Sequence, residues 1–304
     1  MEQPQGIVCS LERFATHDGP GIRTLVYMKG CPLTCAWCSS PHTQSKTADL
    51  LYTASRCVGS DACVAICPEK ALQRSEGEPL QIDRELCNAC GLCIDACNTR
   101  ALEITGQSMT VDELFKEVDK DSSFYRRSNG GVTVGGGELS MQPEFVSAFL
   151  KKCKEQYIHT SIETCGLAPW TGLESILRYV DLLHFDIKHM DDEMHRKLTG
   201  ASNKQILENA RKAAKMCVMI IRIPVVPGCN DSEENIIATA KFAAGLEGGI
   251  QRIELLPYHQ LGMHRYDQLG MTYNLDDVDT PDDSHMERLK YIVQSAGVDA
   301  EIVS

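Results

Sequence analysis

Residues 30–38, with the sequence GCPLTCAWC, contain three cysteines, Cys31, Cys35 and Cys38, in the spacing C-x3-C-x2-C. An iron-sulfur cluster usually has four thiolate ligands, so three thiolates leave one iron open to a small ligand. A zinc knuckle and a disulfide are the alternatives, but structural zinc sites are closed by four N or S ligands and disulfides need an oxidising compartment. The spacing therefore favours an iron-sulfur cluster in this loop.

The composition limits where the protein works and what it binds. Its 304 residues, 43% of them hydrophobic, suffice for one large domain or one domain with an insertion. The formal charge of −12 disfavours a nucleic-acid partner. The polar N-terminus and the lack of long apolar runs predict no signal peptide, no membrane span and a cytoplasmic location. In that reducing compartment, the 15 cysteines favour metal sites over disulfides.

Six short β-rich runs alternate with amphipathic segments, which is the order of βα-repeats around a parallel sheet. The predicted strands are 24–29, 132–134, 159–163, 182–187, 218–226 and 252–256. The predicted helices are 143–156, 173–179, 203–215, 232–244 and 281–296, the last with Thr280 as N-cap and Pro281 at its first position. Ligands of such sheets bind at the carboxyl ends of the strands, so the residues that follow each strand are the candidates for function.

Residues 50–106 interrupt this order with a dense cysteine pattern. A run with bacterial ferredoxin spacing follows an incomplete run in which Ser60 takes the place of the second cysteine. Because the last cysteine of each run in a two-cluster ferredoxin binds the other cluster, the predicted ligand sets are Cys67, Cys87, Cys90 and Cys93 for one cluster, and Cys57, Cys63 and Cys97 for the other. We expect a labile or altered cluster beside Ser60, since a hydroxyl ionises far less readily than a thiol.

The remaining five cysteines have no ligand spacing and are not assigned to metal: Cys9, Cys153, Cys165, Cys217 and Cys229. Cys153 and Cys217 fit small buried hydrophobic positions.

The sequence DGPG at residues 18–21 would by itself predict a tight turn. Directly before the cysteine loop, it resembles the pattern of the glycyl radical enzyme activating enzymes, a family of radical S-adenosylmethionine (SAM) proteins that includes pyruvate formate-lyase activating enzyme. The resemblance covers His17 to about Gly270 and includes the ferredoxin insert of the larger members. It implies an α/β fold, a partial (β/α)6 TIM-like barrel formed by residues 1–49 and 107–304, with an inserted bacterial ferredoxin-like module of two 4Fe-4S clusters at 50–106.

The resemblance also implies a SAM site. Gly136, Gly137 and Glu138 match the family's GGE motif, which binds the methionyl amino group, and glycines let the backbone approach a ligand closely. Further expected cofactor contacts are Trp37, Glu163, Asp186, Lys188, Arg222 and His259. Without the resemblance, Glu163 would be explained as a solvated strand end, Asp186 and Lys188 as a surface ion pair, and His259 as a structural histidine. Asp18 is expected to contact the partner protein's glycine loop.

The implied activity is that of an oxidoreductase. One electron passes from the cluster at Cys31, Cys35 and Cys38 to SAM, giving methionine and a 5′-deoxyadenosyl radical that removes hydrogen from a glycine Cα of a glycyl radical enzyme. The insert would carry electrons from a flavodoxin or ferredoxin reductant, or serve as a docking surface. The expected partner is a choline- or isethionate-type lyase, with a dehydratase or arylacetate decarboxylase as the alternative. The competing interpretations are another radical SAM maturase and a ferredoxin-type electron carrier.

Overall fold

The computed structural model describes residues 4–303. The strands are β1 (Gln5–Ala15), β2 (Arg23–Met28), β3 (Asp49–Tyr52), β4 (Leu72–Gln73), β5 (Gln81–Ile82), β6 (Leu102–Thr105), β7 (Gln107–Thr110), β8 (Gly131–Gly136), β9 (His159–Thr164), β10 (Leu182–Asp186), β11 (Val218–Val225), β12 (Ile250–Pro257) and β13 (Ala300–Ile302). The helices are α1 (Ala62–Ile66), α2 (Leu92–Asp95), α3 (Val111–Asp119), α4 (Ser122–Ser128), α5 (Pro143–Glu155), α6 (Trp170–Leu177), α7 (Asp192–Thr199), α8 (Lys204–Ala213), α9 (Glu233–Ala244), α10 (Met263–Leu269) and α11 (Asp283–Ser295).

One large sheet carries the fold, with the strand order β13-β12-β11-β10-β9-β8-β2-β1-β7. Strands β2 and β8 to β13 are parallel, while β1, near one end of the sheet, pairs antiparallel with both β2 and β7. Among the described residues the outermost strands β13 and β7 do not pair, so the sheet is a partial barrel. Its carboxyl ends lie together at one edge, where α/β sheets bind ligands.

The main core lies between this sheet and the helices that follow its strands. Phe145 and Phe149 of α5 pack there with Phe185 of β10 and Ile221 of β11, each at most 2% exposed. Strands β10 and β11 are buried on both faces, which explains their mostly apolar sequences LLHFD and VMIIRIPV.

All six predicted strands are present, as β2 and β8 to β12, and the predicted helices are present with shifted ends. The prediction was wrong at the start of the last helix. The Asp282 side chain accepts a hydrogen bond from the His285 backbone N–H, so α11 begins at Asp283 and leaves Thr280 and Pro281 outside. A carboxylate is a strong N-cap, and it fixes the start of a helix.

Strands β1, β7 and β13 were not predicted. β1 alternates between buried and exposed side chains along part of its length, and it pairs β2 on one side and β7 on the other. Its polar residues interrupt the apolar run that would mark a strand, because a strand at the margin of a sheet needs fewer apolar side chains.

Residues 49–105 form a compact unit of their own. Strand β3 pairs antiparallel with β6 and β4 with β5. A separate apolar core forms between them from Leu50, Leu72, Leu80 and Leu102, together with buried cysteines.

This unit repeats itself after thirty residues, since Leu50, Cys57, Cys63, Cys67 and Leu72 each have an identical counterpart thirty positions later. The backbone repeats too. Lys70 and Arg100 have φ angles of 53° and 54°, and α1 and α2 both follow a residue in the left-handed region. Each residue in one half of the unit can therefore be compared with the residue at the equivalent position of the other half.

Helix α10 joins this unit to the barrel. The Gln268 amide donates a hydrogen bond to Thr53 Oγ1 at 2.8 Å, and the Arg84 guanidinium donates to the Gln268 carbonyl at 3.2 Å. At its other face, Tyr266 donates its hydroxyl hydrogen to the Cys38 carbonyl at 3.0 Å. In the part of the chain that the structure describes, no helix has the length and apolar character to cross a bilayer.

Candidate active site

A cavity of about 390 Å³ opens at the carboxyl ends of the parallel strands. This volume is typical of a small-molecule site. The sequence-predicted residues that line it are Asp18, Cys31, Cys35, Trp37, Cys38, Gly136, Gly137, Glu163, Asp186, Lys188, Arg222 and His259. The fold thus brings together residues from six strand ends that are far apart in sequence.

Backbone hydrogen bonds fix the cysteine loop on both sides. The N–H groups of Thr34 and Ala36 donate to the carbonyls of Thr199 and Leu198, at 2.8 and 2.9 Å, at the end of α7. The Cys31 N–H donates to the Gln44 carbonyl at 3.0 Å. The three thiols therefore lie on a rigid loop, which a preorganised ligand set requires.

Burial sets the protonation of these thiols. It raises the pKa of Cys31 to about 12 and that of Cys35 to about 11, and it raises the pKa of Cys38 as well, while the Lys188 ammonium opposes the rise at Cys35 and Cys38. Metal ligation needs thiolates, so loading this loop releases protons.

The opposite wall carries paired charges. Lys188 Nζ lies 2.8 Å from Asp186 Oδ2 just beyond β10, and Arg222 of β11 contacts the carboxylates of Glu163 and Glu254 at 2.5 and 2.8 Å. Burial, opposed by Arg222 and supported by the Asp18 charge, raises the pKa of Glu163. This wall offers a cation and carboxylates to a zwitterionic ligand.

Arg222 also ties the DGPG segment to the barrel. Its guanidinium donates to the His17 carbonyl at 2.8 Å and lies 3.8 Å from Asp18 Oδ1. Asp18 thereby stands at the cavity rather than in a free turn.

Among the residues predicted for the SAM site and its cluster, Glu138 alone does not line the cavity. Its side chain is fully buried, and its carboxylate accepts hydrogen bonds from Ser140, from the Thr164 hydroxyl and from the Cys165 N–H, at 2.5 to 3.0 Å. These bonds join the end of β8 to the end of β9 and use the carboxylate fully. Its contact with the ammonium of a bound ligand stays a prediction.

The glycines before Glu138 do line the cavity. A Cβ on Gly137 would lie 2.4 Å from the Gly30 carbonyl oxygen, and one on Gly136 would lie 2.8 Å from the Met28 nitrogen. Gly136 also has a φ angle of 97°. Only glycine fits where the cysteine loop and this turn touch.

An aromatic and apolar patch forms the remaining side of the cavity. Trp37 packs with Val226 and Tyr258, and the Tyr258 hydroxyl lies 2.7 Å from that of Tyr273. His259 stands exposed at the rim beside them. A flat aromatic ligand group could stack at this side.

Two further cavities lie within the 49–105 unit, and each gathers one predicted ligand set. Cys67, Cys87, Cys90 and Cys93 line one. Cys57, Cys63 and Cys97 line the other, together with Ser60, Asp61, Arg74 and Tyr52. The sequence predicts that Cys67 and Cys97, the last cysteines of the two runs, each join the ligand set of the other run, and the two cavities group them in the same way.

All 15 cysteines are free thiols. Within residues 4–303, no three Cys, His, Asp or Glu side chains converge closely enough for one metal ion.

Two residues near these sites escaped the sequence reasoning. Tyr266 holds the cysteine loop from α10 and has no local signal. Arg74, which donates to Cys57 Sγ at 2.9 Å, could have been found by comparing the two halves of the thirty-residue repeat.

Comparisons with known proteins agree on one superfamily. The radical SAM superfamily profile matches residues 25–240. The isethionate sulfite-lyase activating enzyme of Oleidesulfovibrio alaskensis is 45% identical over 268 residues, with 86% of each chain covered. The indoleacetate decarboxylase activating enzyme of Tractidigestivibacter scatoligenes is 38% identical, with 97% of this chain and 96% of the relative covered.

Among solved structures, a domain of the pyruvate-formate lyase-activating enzyme from Bacteroides vulgatus superposes with a TM-score of 0.50 and 34% identity. The match covers 58% of this chain and 99% of that domain.

Proposed function

Because the chain belongs to the radical SAM superfamily, as one of its glycyl radical enzyme activating enzymes, we propose that Cys31, Cys35 and Cys38 bind the 4Fe-4S cluster of this family and leave its fourth iron to SAM. The protein is an oxidoreductase that uses SAM to activate a glycyl radical enzyme. When bound, the cluster supplies the electron that cleaves SAM to methionine and a 5′-deoxyadenosyl radical, which takes hydrogen from the partner's glycine. The observation that carries the assignment is the convergence of three thiols and a paired-charge wall on one cavity.

The residues of the wall bind and orient SAM. Lys188 pairs with the SAM carboxylate, and Gly136 and Gly137 allow its amino group close to the backbone. The carboxylates of Glu163 and Asp186 complement the net positive charge that the ammonium and sulfonium give to SAM. Glu138 positions this turn through the hydrogen bonds it accepts from Thr164 and Cys165.

The remaining lining residues serve the adenosyl group and the partner. Trp37 and His259 border the adenosyl side of the cavity. Asp18, held near Arg222, meets the partner's glycine loop at the opening. A glycine target suits this site since only a backbone without a side chain can come so close to the reacting carbon.

SAM binding by Lys188 can be measured without turnover. Lys188→Met should keep the iron content of the reconstituted protein and weaken SAM binding in calorimetry at least tenfold, since the carboxylate loses a charged partner. Lys204→Met, at the start of α8 away from the cavity, is the charge-matched control. Unchanged affinity in the Lys188 variant would reject this role.

We propose that residues 50–106 form a ferredoxin-like module with two auxiliary 4Fe-4S clusters. Four thiols of one cavity complete the first ligand set, while three thiols and the Ser60 hydroxyl line the second. Ser60 stands where its repeat counterpart is Cys90, so the second cluster is the more labile one. Ser60→Cys should make it persist through purification, as seen by iron and sulfide analysis.

The module delivers electrons from a flavodoxin or ferredoxin in the cytoplasm. Cys90→Ala with Cys93→Ala should abolish activation by the protein reductant, and a chemical reductant should restore it, because it bypasses the lost route. Persistent loss with the chemical reductant would assign the module a structural or docking role instead.

The partner we propose is a lyase of the isethionate type, since the isethionate sulfite-lyase activating enzyme is 45% identical and the indoleacetate decarboxylase activating enzyme 38%. Incubation with SAM, reductant and purified isethionate sulfite-lyase should give a glycyl radical doublet in EPR. A doublet only with a decarboxylase, a dehydratase or a choline lyase would overturn this choice. Asp18→Ala should lower radical formation more than uncoupled SAM cleavage.

A further inference from the structure

The two cysteine cavities of the 49–105 unit are equivalent in backbone but not in polarity. Thirty positions after Arg74 stands Ile104, and thirty positions after Asp61 stands Gly91. Ile104 packs against the loop at Gly91, where its Cδ1 would lie 3.5 Å from an added Cβ. Arg74 packs against the loop at Gly59, where its Nη1 would lie 3.5 Å from an added Cβ. The repeat thus has a guanidinium in one half where the other has hydrocarbon.

Arg74 is aimed at a ligand sulfur. Its Nη2 donates a hydrogen bond to Cys57 Sγ at 2.9 Å, and its Nε lies 2.7 Å from Asp61 Oδ1. The Arg74 side chain is only 13% exposed, while that of Asp61 is 54% exposed. Asp61 therefore pairs with the guanidinium from the more exposed side, and Nη2 of the arginine faces the Cys57 thiol.

The opposite cavity has no such donor. Besides its four cysteines, it is lined by Leu50, Leu72 and Leu92, by a proline and by small or neutral polar residues, with Glu69 as its one charged residue among those described. That charge has the opposite sign to Arg74.

We propose that Arg74 makes the two auxiliary clusters unequal, by raising the reduction potential of the cluster at Cys57, Cys63 and Cys97 above that of its neighbour. This rests on the proposed function of the module. Reduction adds one negative charge to a cluster, and a nearby cation that hydrogen-bonds to a ligand sulfur stabilises the reduced form more than the oxidised form. A single electron entering the module then resides mainly beside Arg74.

The test is a redox titration of the reconstituted holoprotein followed by EPR. Cys63→Ala identifies the signal of the Arg74-side cluster by removing it. In Arg74→Leu, that signal should shift to more negative potential while the other auxiliary signal keeps its midpoint. Arg74→Lys should give a smaller shift, because a lysine keeps the charge but loses the planar fork.

Arg100→Leu is the matched control, since Arg100 is an exposed cation in the same module and a solvent-screened charge has little effect on a cluster. If Arg74→Leu fails to retain its cluster, the same comparison is made between Ser60→Cys and the Ser60→Cys, Arg74→Leu double variant, in which a fourth thiolate secures ligation.

The outcomes separate this inference from the proposed function. An iron content of about four per protein would mean that only one cluster forms, and would overturn both the module assignment and the role of Arg74. Full iron content with unmoved midpoints in Arg74→Leu, or a shift equal to that in Arg100→Leu, would overturn the role of Arg74 alone.

Discussion

Single side chains around the cavity divide into those that face the ligand space and those that hold its walls. Glu138 belongs to the second group, because its carboxylate is enclosed by donors from Ser140, Thr164 and Cys165. Its motif predicts contact with the cofactor, and two of the donors that hold it, Thr164 and Cys165, are more than twenty residues away in sequence. No local pattern reveals such a contact.

The variant Glu138→Gln tests whether this carboxylate holds the wall of the cavity or contacts the cofactor. We expect it to lose about 2 kcal/mol of unfolding free energy, since an amide replaces a charged acceptor among N–H and O–H donors. SAM affinity should fall only modestly. Denaturant unfolding and calorimetry measure both. Full stability together with complete loss of SAM binding would mean that the carboxylate contacts the cofactor after all.

His184 predicts a pH dependence of stability. Burial lowers its pKa to about 2, and the positive charges of nearby arginines, above all Arg222, act in the same direction. A histidine in the unfolded chain titrates near 6.5. As pH falls below about 6.5, the unfolded chain binds a proton that the native chain does not, so stability falls by about 1.4 kcal/mol per pH unit for this group.

His184→Asn should remove this part of the slope between pH 7 and pH 5, measured by denaturant unfolding. Buried His42, whose pKa burial lowers to about 4, contributes in the same direction and keeps the remaining slope positive. An unchanged slope in the variant would contradict the assignment.

At the scale of elements, helix α10 supports the cysteine loop from outside the barrel. Tyr266→Phe removes the hydrogen bond to the Cys38 carbonyl and should cost about 1 kcal/mol of stability. The loosened loop should also lose iron faster to a chelator, followed by absorbance. Tyr291→Phe on α11, where the side chain is mostly exposed, is the control. Equal rates of iron loss in the two variants would refute this role.

The turn after β8 touches the cysteine loop through glycine. Gly137→Ala would bring a methyl group within 2.4 Å of the Gly30 oxygen and 2.9 Å of the Thr43 oxygen. We expect about 1–3 kcal/mol of destabilisation and reduced iron at the first cluster. Gly245→Ala, whose methyl group would lie 3.5 Å from its nearest neighbour, should behave like the wild type. Normal iron content in the Gly137 variant would exclude this close approach.

Across the whole molecule, the features that could be predicted from the sequence are those marked by a pattern of neighbouring residues. Short β-rich runs identified the parallel strands, and ligand spacing grouped the cysteines as the cavities group them. Three other features depend on partners that only the fold supplies. These are the pairing of strand β1, the capping of α11 at Asp283 and the hydrogen bonds accepted by Glu138. Arg74 was not singled out, because its role becomes apparent only when it is compared with Ile104, the residue at the equivalent position of the repeat.

SAM cleavage by this protein is measured most directly by chromatography for 5′-deoxyadenosine after anaerobic reconstitution, reduction with dithionite and addition of SAM. We predict its formation together with methionine, its loss in Cys35→Ala, and its retention in Cys153→Ala, a buried cysteine of α5 outside the cavity. A fully iron-loaded protein that forms no 5′-deoxyadenosine, or a Cys35→Ala variant that still forms it, would contradict the assignment of the open iron to SAM.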